Sequence, residues 1–489
     1  MNELIEYVVV GSGPAGWSTS MALIEKGITP TVIDIGLTEF KNDPNFFIPG
    51  GIKNGISTKT NFGSRHMYQY PSQRSTAFDS VGQLPISGAF GGLSTVWGAN
   101  LQGCLEACRI NSEDELIEVQ NAFNFVLGQI PHCGKSDRLD QVFPWPKDFV
   151  DETPQSQRME KMCLNYQQHS DEYSFLLGMA RNASAGLKTG CIGCAECMNG
   201  CPANVIFSTK SSFHEMISSS KVNYKKGIVS SIHPTDRGWT ILIEDSENQT
   251  IEQIDAINVY LAAGSIATSI LLSRSQLIPD EVTLQDTQVF YLPMISRMDK
   301  EPLTNVYSLS QVFVSSKDVQ HGPSSFHLSL YENGKDWRDR LQKKYGVVAR
   351  VVPRKATKLL VAAIGFLPSS ESGRISIKRQ AGIQVSLQPR KNQKKLVRNL
   401  IRKLRPDLLR LGLFPVNQFT EIPSCGSSFH VGVLESQHGK IINDFGMIDG
   451  QKNLFITDGC ALNVLPTGPV TLSIMANARH ITLKSVESR

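Results

Sequence analysis

Near the start of the chain, apolar and polar positions follow the order of a buried strand, a glycine turn, a helix and a second strand. The apolar run Val8–Val10 is followed by the glycine-rich segment 11–16, and a second apolar run at 31–33 ends in Asp34. A continuous apolar run bounded by turn residues is typical of a strand covered on both faces. The pattern predicts an α/β fold that begins with this unit.

The glycines of the first turn have the spacing of a dinucleotide-binding fingerprint. Gly11, Gly13 and Gly16 match G-x-G-x-x-G. In that motif the glycines permit a tight turn, the approach of a pyrophosphate to the helix N-terminus, and close packing of helix on strand. Asp34 is placed to accept a hydrogen bond from a ribose hydroxyl. The fingerprint alone fits a nicotinamide or a flavin dinucleotide, and a glycine turn in an ordinary α/β domain is the disfavoured alternative.

The middle of the chain alternates in the manner of antiparallel strands. A glycine-rich turn at 88–100 runs into a helix start, where backbone amides are suited to a flavin or its phosphates. Alternation over 221–260 predicts a β-meander. The meander ends in a buried strand and a glycine turn at 259–265, and a helix follows at 268–274.

The last third of the chain predicts a separate unit and then a return to the first one. Residues 290–419 alternate strand patterns with two basic helices, which is typical of a substrate-facing unit. A strand at 453–457 then delivers Asp458 and Gly459 to a loop, and a helix follows at 470–479.

Length and charge narrow the function classes. The chain has 489 residues, enough for two or more domains, and a net charge of only +4, which does not favour nucleic acid as a partner. No apolar leader and no membrane-spanning run is apparent, so the expected localisation is cytoplasmic.

A compact cysteine run is the second strong motif. Cys191, Cys194, Cys197 and Cys201, with Pro202, follow C-x2-C-x2-C-x3-C-P, the spacing of bacterial ferredoxins. The run predicts an iron–sulfur cluster with the first three cysteines as ligands. Three alternatives stay open for the fourth ligand. Cys201 completes a four-iron site, a distant cysteine takes its place, or the site holds three irons. Structural zinc and disulfides are the disfavoured alternatives.

The segment 391–410 is basic and amphipathic. It carries eight basic residues against one acid, Asp407. The favoured interpretation is a solvated helix whose apolar stripe packs on the substrate-domain sheet, and which Pro406 ends near Arg405. The alternative is peripheral contact with the inner face of a membrane, or docking to an acidic partner. The apolar stripe is Leu396, Val397, Leu400, Ile401 and Leu404.

These segments together resemble the glucose–methanol–choline (GMC) family of flavin oxidoreductases. Islands of similarity are the fingerprint, residues 91–98 and 261–275, and a C-terminal block formed by 428–432, Asp458-Gly459 and 469–476. The cysteine run followed by 208–210 is similar to a bacterial branch of that family, often linked to sugar or polysaccharide metabolism. The resemblance implies FAD, oxidation of an alcohol carbon, and a histidine beside the flavin ring, which falls on His430. Further implied FAD contacts are Gly91, Gly92, Ser94, Asn100, Ala263, Gly264, Asp458, Gly459 and Pro469.

The resemblance also implies an organisation. A Rossmann-like FAD-binding domain with a β-meander is expected over 1–290, with a helical insert near 111–184 and the cysteine cluster at 191–202. An antiparallel-sheet substrate domain follows over 291–425, and 426–489 returns to the first domain with the catalytic turn.

The chain departs from the family at two positions. Where the family usually has histidine or asparagine before the proline matching Pro469, this chain has Gly468. Val96 stands where some members carry a flavin-linking histidine, so non-covalent FAD is expected. Candidates to replace the missing side chain are Asn463, Thr467 and His438.

The combined prediction is an FAD-dependent dehydrogenase of a sugar, polyol or related alcohol. His430 takes the hydroxyl proton because an imidazole titrates near neutral pH. Electrons pass through the cluster to a protein or quinone acceptor rather than to oxygen. The alternatives are a flavin and iron–sulfur reductase of a carbonyl or double bond, and an electron-transfer protein without alcohol chemistry, which Gly468 favours. A structural histidine is the other interpretation of His430.

Overall fold

The computed structural model describes residues 4–36, 52–53, 56–57, 76–78, 84, 86–134, 137, 139, 142–144, 157–194, 197, 201–244, 251–297, 308–320, 324–332 and 359–487. Helices α1–α7 are, in order, Pro14–Glu25, Glu113–Gln129, Gln157–Gln168, Thr209–Ser218, Ser265–Arg274, Gln393–Arg410 and Thr471–Glu487. Strands β1–β21 are, in order, Leu4–Val10, Thr31–Asp34, Ile52–Lys53, Ile56–Ser57, Thr76–Phe78, Phe175–Met179, Asn223–Lys226, Ile228–Thr235, Gly238–Glu244, Ile251–Leu261, Glu281–Asp286, Val289–Ser296, Val312–Ser316, His327–Tyr331, Leu360–Phe366, Arg374–Arg379, Ile383–Gln388, Leu413–Pro415, Val431–Ser436, Gly439–Lys440 and Leu454–Ile456.

The first sheet combines parallel and antiparallel strands in the order β7-β2-β1-β10-β9-β8, and β21 also pairs with β10. Val8–Val10 lie in its buried centre, as expected for a strand covered on both faces. The strands β8, β9 and β10 form the predicted antiparallel meander. The prediction was wrong for β7, which pairs parallel with β2 and so extends the parallel part of the sheet. The mixed α/β class is confirmed.

Two further six-stranded sheets and a two-stranded sheet of β3 and β4 complete the described part of the fold. One has the order β20-β19-β11-β16-β17-β5, and the other β18-β12-β15-β14-β13-β6. Strand β6 lies within the stretch near 111–184 but pairs with β13, so part of that stretch packs with the later sheet. The domain boundaries drawn from the sequence stay a prediction.

Helix α6 shows how the basic segment is held. Its apolar stripe packs in the same hydrophobic cluster as the sheet that contains β18 and β12, while Lys395, Arg398, Arg402 and Arg405 are exposed. The prediction that Pro406 ends the helix was wrong, since α6 continues to Arg410. Beyond the proline, Leu408 is buried, and Asp407 accepts hydrogen bonds from the Ser174 amide and hydroxyl at 2.8 and 2.6 Å. In the described ranges no helix is long and apolar enough to cross a membrane.

Candidate functional site

A cavity lies at the carboxyl ends of the parallel strands β1, β2, β10 and β21. Ligands of doubly wound sheets bind at this edge. The cavity therefore has the position expected for a dinucleotide. Its wall includes Gly11, Ser12, Gly13, Asp34, Gly92, Ala263, Gly264, Phe429, Val431, Asp458, Gly459, Val470 and Thr471.

Two of the three fingerprint glycines are required by contacts within the protein, and the third borders the cavity. Gly11 has φ +109°, and a Cβ there would lie 2.5 Å from the carbonyl oxygen of Ala262. A Cβ on Gly16 would lie 1.9 Å from the carbonyl oxygen of Gly11. Gly13 has φ −69°, and an added Cβ would meet only Gly92 Cα, at 3.9 Å. Protein packing thus requires the first and third glycines, while the second leaves free space in the cavity at the N-terminus of α1.

Asp34 lies at the end of β2 with each carboxylate oxygen fixed by one backbone amide. Oδ2 accepts the Ser12 N–H at 2.8 Å, and Oδ1 accepts the Gly36 N–H at 2.7 Å. Burial raises the pKa of Asp34, and these amides oppose the rise. Each carboxylate oxygen has a further lone pair, so the group can still accept bonds from ligand hydroxyls.

The segment 88–100 contributes backbone to the cavity, but three of its four predicted contact residues are outside the cavity lining. Gly92 lines the cavity, and the Gly91 amide donates to Ser12 Oγ at 2.8 Å. The buried Ser94 hydroxyl donates to the Gly91 carbonyl at 2.7 Å and accepts the Thr209 amide at 3.0 Å, so it fixes the turn. Asn100 is outside the cavity lining, and its Nδ2 is buried without a hydrogen-bond partner among the described residues.

Asp458 connects the turns that follow β10 and β21. Its Oδ2 accepts the Gly264 amide at 3.0 Å and the Thr268 hydroxyl at 2.5 Å, and its Oδ1 accepts the Cys460 amide at 3.0 Å. The side chain is 2% exposed, and burial raises its pKa. Asp458 therefore holds two cavity-lining turns together, and Thr268 is a partner that the sequence did not single out.

His430 lies between two residues that line the cavity, Phe429 and Val431. Its loop is anchored on Asp286, a residue that sequence reasoning missed. Ser428 Oγ donates to Asp286 Oδ1 at 2.5 Å, and the His430 amide donates to Ser428 Oγ at 3.0 Å. Burial raises the pKa of Asp286 to about 6. The buried carboxyl group of Asp286 thus fixes the loop through Ser428, without contacting His430 directly.

The imidazole of His430 is stacked and electrically neutral. Its ring centroid lies 4.7 Å from that of Phe366, with 23° between the ring planes. Nδ1 is buried without a hydrogen-bond partner among the described residues. Burial lowers the pKa of His430 to about 4, so the ring is a free base at neutral pH.

The three sequence candidates for the missing family side chain lie in different settings. His438 is exposed on the β19–β20 turn and contacts Gln437, and Asn463 accepts a hydrogen bond from Lys440 Nζ at 2.7 Å. Thr467 is buried, and its hydroxyl has no partner in the described part of the chain. Pro469 is half-buried, and the next two residues line the cavity.

The cysteine run does not form the predicted ligand set. Among the described residues, which include all four cysteines, no group of three or more His, Cys, Asp or Glu side chains is arranged to hold a metal ion. Cys194 is exposed, while Cys197 is buried. Burial raises the pKa of the Cys197 thiol, against the effect of a hydrogen bond with Ser308. The arrangement of these residues therefore gives no support to an iron–sulfur cluster or a zinc ion.

The architecture as a whole matches a solved structure. Pyridoxine 4-oxidase from Mesorbium loti superimposes with a TM-score of 0.61 over 99% of this chain and 99% of its own, at 12% sequence identity. No protein-family model and no curated protein matches the sequence. At this identity the likeness concerns the fold alone: the chain has the fold of pyridoxine 4-oxidase.

Proposed function

We propose that the chain is a GMC-type, FAD-dependent oxidoreductase that oxidises a CH–OH group. The observation that carries the proposal is one cavity lined by the glycine turn, by Asp34 and by both neighbours of His430, three parts of the chain that are far apart in sequence. The structural neighbour is named as an oxidase of pyridoxine, which makes that alcohol one useful probe.

The residues fit FAD. The space beside Gly13, at the N-terminus of a helix, suits a pyrophosphate, because helix N-termini favour anions. The lone pairs of Asp34 suit a ribose. Val96 has no atom that could form a covalent flavin link, so we propose that FAD is held non-covalently.

Bound FAD would supply the hydride acceptor. The remaining task of the protein is to remove the hydroxyl proton of the alcohol, which requires a base in its neutral form. His430 is such a base. We assign proton uptake to its Nε2, because Nδ1 is buried. Stacking on Phe366 holds the ring plane, and the Asp286–Ser428 anchor holds the backbone.

The pH dependence of flavin reduction follows from this assignment. Only neutral His430 accepts a proton, and burial lowers its pKa to about 4. We expect the rate of flavin reduction by a saturating alcohol to be level through neutral pH and to fall as the pH drops through about 4. An acid limb near the ordinary histidine value of about 6.5 would contradict a base whose pKa is lowered in this way.

Analysis of anaerobically purified protein tests the cofactor. We expect acid precipitation to release intact FAD into the supernatant. Flavin that stays with the precipitate would contradict non-covalent binding. Absence of flavin, even after reconstitution with FAD, would refute the proposed function.

The same preparation tests the cluster. Its prediction rests on the cysteine spacing alone, and no electron is routed through it here. Iron and acid-labile sulfide in stoichiometric amount, both lost in Cys194→Ser, would confirm the predicted cluster. That result would favour a quinone or protein acceptor. If the protein contains neither iron nor sulfide, the rates at which oxygen and a quinone reoxidise the reduced flavin are compared.

A further inference from the structure

The space where Gly468 lacks a side chain is occupied by the side chain of another residue. It has φ +130°, and a Cβ built on it would lie 2.9 Å from Cγ and 3.1 Å from Cδ2 of His327. His327 is the first residue of β14, and its side chain is 1% exposed. The absence of a side chain at 468 thus makes room for the imidazole of a residue 141 positions earlier in the chain.

His327 lies in the same aromatic cluster as His430. It pairs with Phe366 in the β14–β15 register, and the two ring centroids are 6.2 Å apart. Since His430 stacks on the same Phe366, the two imidazoles share one phenyl ring. One reaches it from a strand and the other from the loop before β19.

A row of polar side chains along β14 fixes the orientation of His327. Its Nε2 lies 2.9 Å from Ser329 Oγ, and Ser329 also forms a side-chain hydrogen bond with Tyr331. Positions two apart on a strand share a face, so the three form a continuous row. At its far end, the Tyr331 hydroxyl would be 3.8 Å from a Cβ on Gly98, in the turn that leads to the cavity.

Burial lowers the proton affinity of both histidines. Burial lowers the pKa of His327 to about 3, and the charge of nearby His430 lowers it as well. In the described part of the chain, no other charged side chain contributes to either histidine's shift. The imidazole of His327 is therefore neutral at neutral pH.

We propose that His327 is a positioning residue for His430: seated over Gly468 and fixed by Ser329 and Tyr331, it holds Phe366 and the stacked imidazole in their working orientation. This inference rests on the proposed function. A neutral imidazole in a hydrogen-bonded row sets a defined ring plane, which a merely space-filling side chain does not. Catalytic groups displaced by about 1 Å lose up to roughly 100-fold in rate.

Two variants separate positioning from packing. His327→Phe keeps a ring over Gly468 but removes the bond to Ser329, and Ser329→Ala removes the hydroxyl from the row. The control is Ser316→Ala, which deletes an equally buried hydroxyl, bonded to Ser324, on neighbouring β13. We expect both variants to slow single-turnover flavin reduction by roughly tenfold or more, with little change in the concentration of alcohol giving half the maximal rate. The control should leave the rate unchanged.

A second readout requires neither FAD nor substrate. In apoprotein with ¹⁵N-labelled histidine, the ring signals of His430, assigned with His430→Gln, should shift in His327→Phe and Ser329→Ala but not in Ser316→Ala. Unshifted signals, or a wild-type rate in a folded His327→Phe protein, would overturn the inference. If no alcohol reduces the wild-type flavin, the proposed function fails while the ring signals still test the coupling.

Discussion

Replacing His430 with alanine is expected to slow reduction of the bound flavin by alcohol about 100-fold or more, because a positioned general base contributes typically 10²–10⁴-fold. Its pKa near 4 makes His430 a free base at neutral pH, and its neighbours Phe429 and Val431 line the cavity. FAD binding should survive, since the glycine turn and Asp34 are on other elements. The measurement is the rate of flavin bleaching in a single anaerobic turnover.

The matched control for His430→Ala is His438→Ala. His438 is exposed on the β19–β20 turn, eight residues along the chain, where its ring contacts Gln437 and its amide donates to Ser436 Oγ. This variant should reduce flavin at the wild-type rate. Full activity in His430→Ala would remove the histidine from the mechanism and favour an electron-transfer protein that lacks alcohol chemistry.

Gly13→Ala is expected to weaken FAD binding by roughly 100-fold without unfolding the protein, since the second glycine of the fingerprint lets the backbone approach the pyrophosphate. The backbone at Gly13 has φ −69°, which alanine adopts freely, and the added methyl would meet the protein only at Gly92 Cα, 3.9 Å away. The methyl therefore occupies ligand space rather than protein space. Titration of apoprotein with FAD gives the dissociation constant, and a thermal melt of the apoprotein gives the stability.

Gly128→Ala is the control for this substitution. Gly128 is inside α2, and a Cβ there would meet nothing within 4 Å. We expect unchanged FAD affinity and a slightly raised melting temperature, because alanine is the better helix former. If Gly13→Ala binds FAD as tightly as this control, the pyrophosphate does not lie at the N-terminus of α1.

The sequence predicted those parts of the fold in which local pattern and tertiary packing agree. The run Val8–Val10 with its glycines became β1 and the start of α1 because a strand covered on both faces needs a continuous apolar run. The prediction that Pro406 ends α6 was wrong because contacts beyond the proline outweigh its local effect. These contacts are the burial of Leu408 and the hydrogen bonds from Ser174 to Asp407. Those partners are more than 200 residues apart and leave no local signal.

The sequence predicted the site residues whose role depends on their own local turn. It did not predict those whose role depends on contacts with residues far away in the sequence. Gly13 and Asp34 line the cavity, as their spacing indicated, whereas Ser94 turns inward to bond Thr209. His327 could not be found from the sequence, because its contact with Gly468 exists only once the strand that carries it packs on the loop before α7. The four cysteines have the spacing of a ferredoxin run, but no metal-holding group forms among the described residues, so the cluster stays a prediction.

The most direct test of the central claim is an anaerobic single-turnover experiment on FAD-loaded protein. The protein is mixed with a panel of alcohols that includes pyridoxine, sugars and polyols, and the visible flavin band is followed in time. The account predicts that at least one alcohol bleaches the flavin and yields the matching carbonyl product, and that His430→Ala bleaches far more slowly with the same alcohol. A flavin that no alcohol reduces, but that a chemical reductant does reduce, would contradict the account.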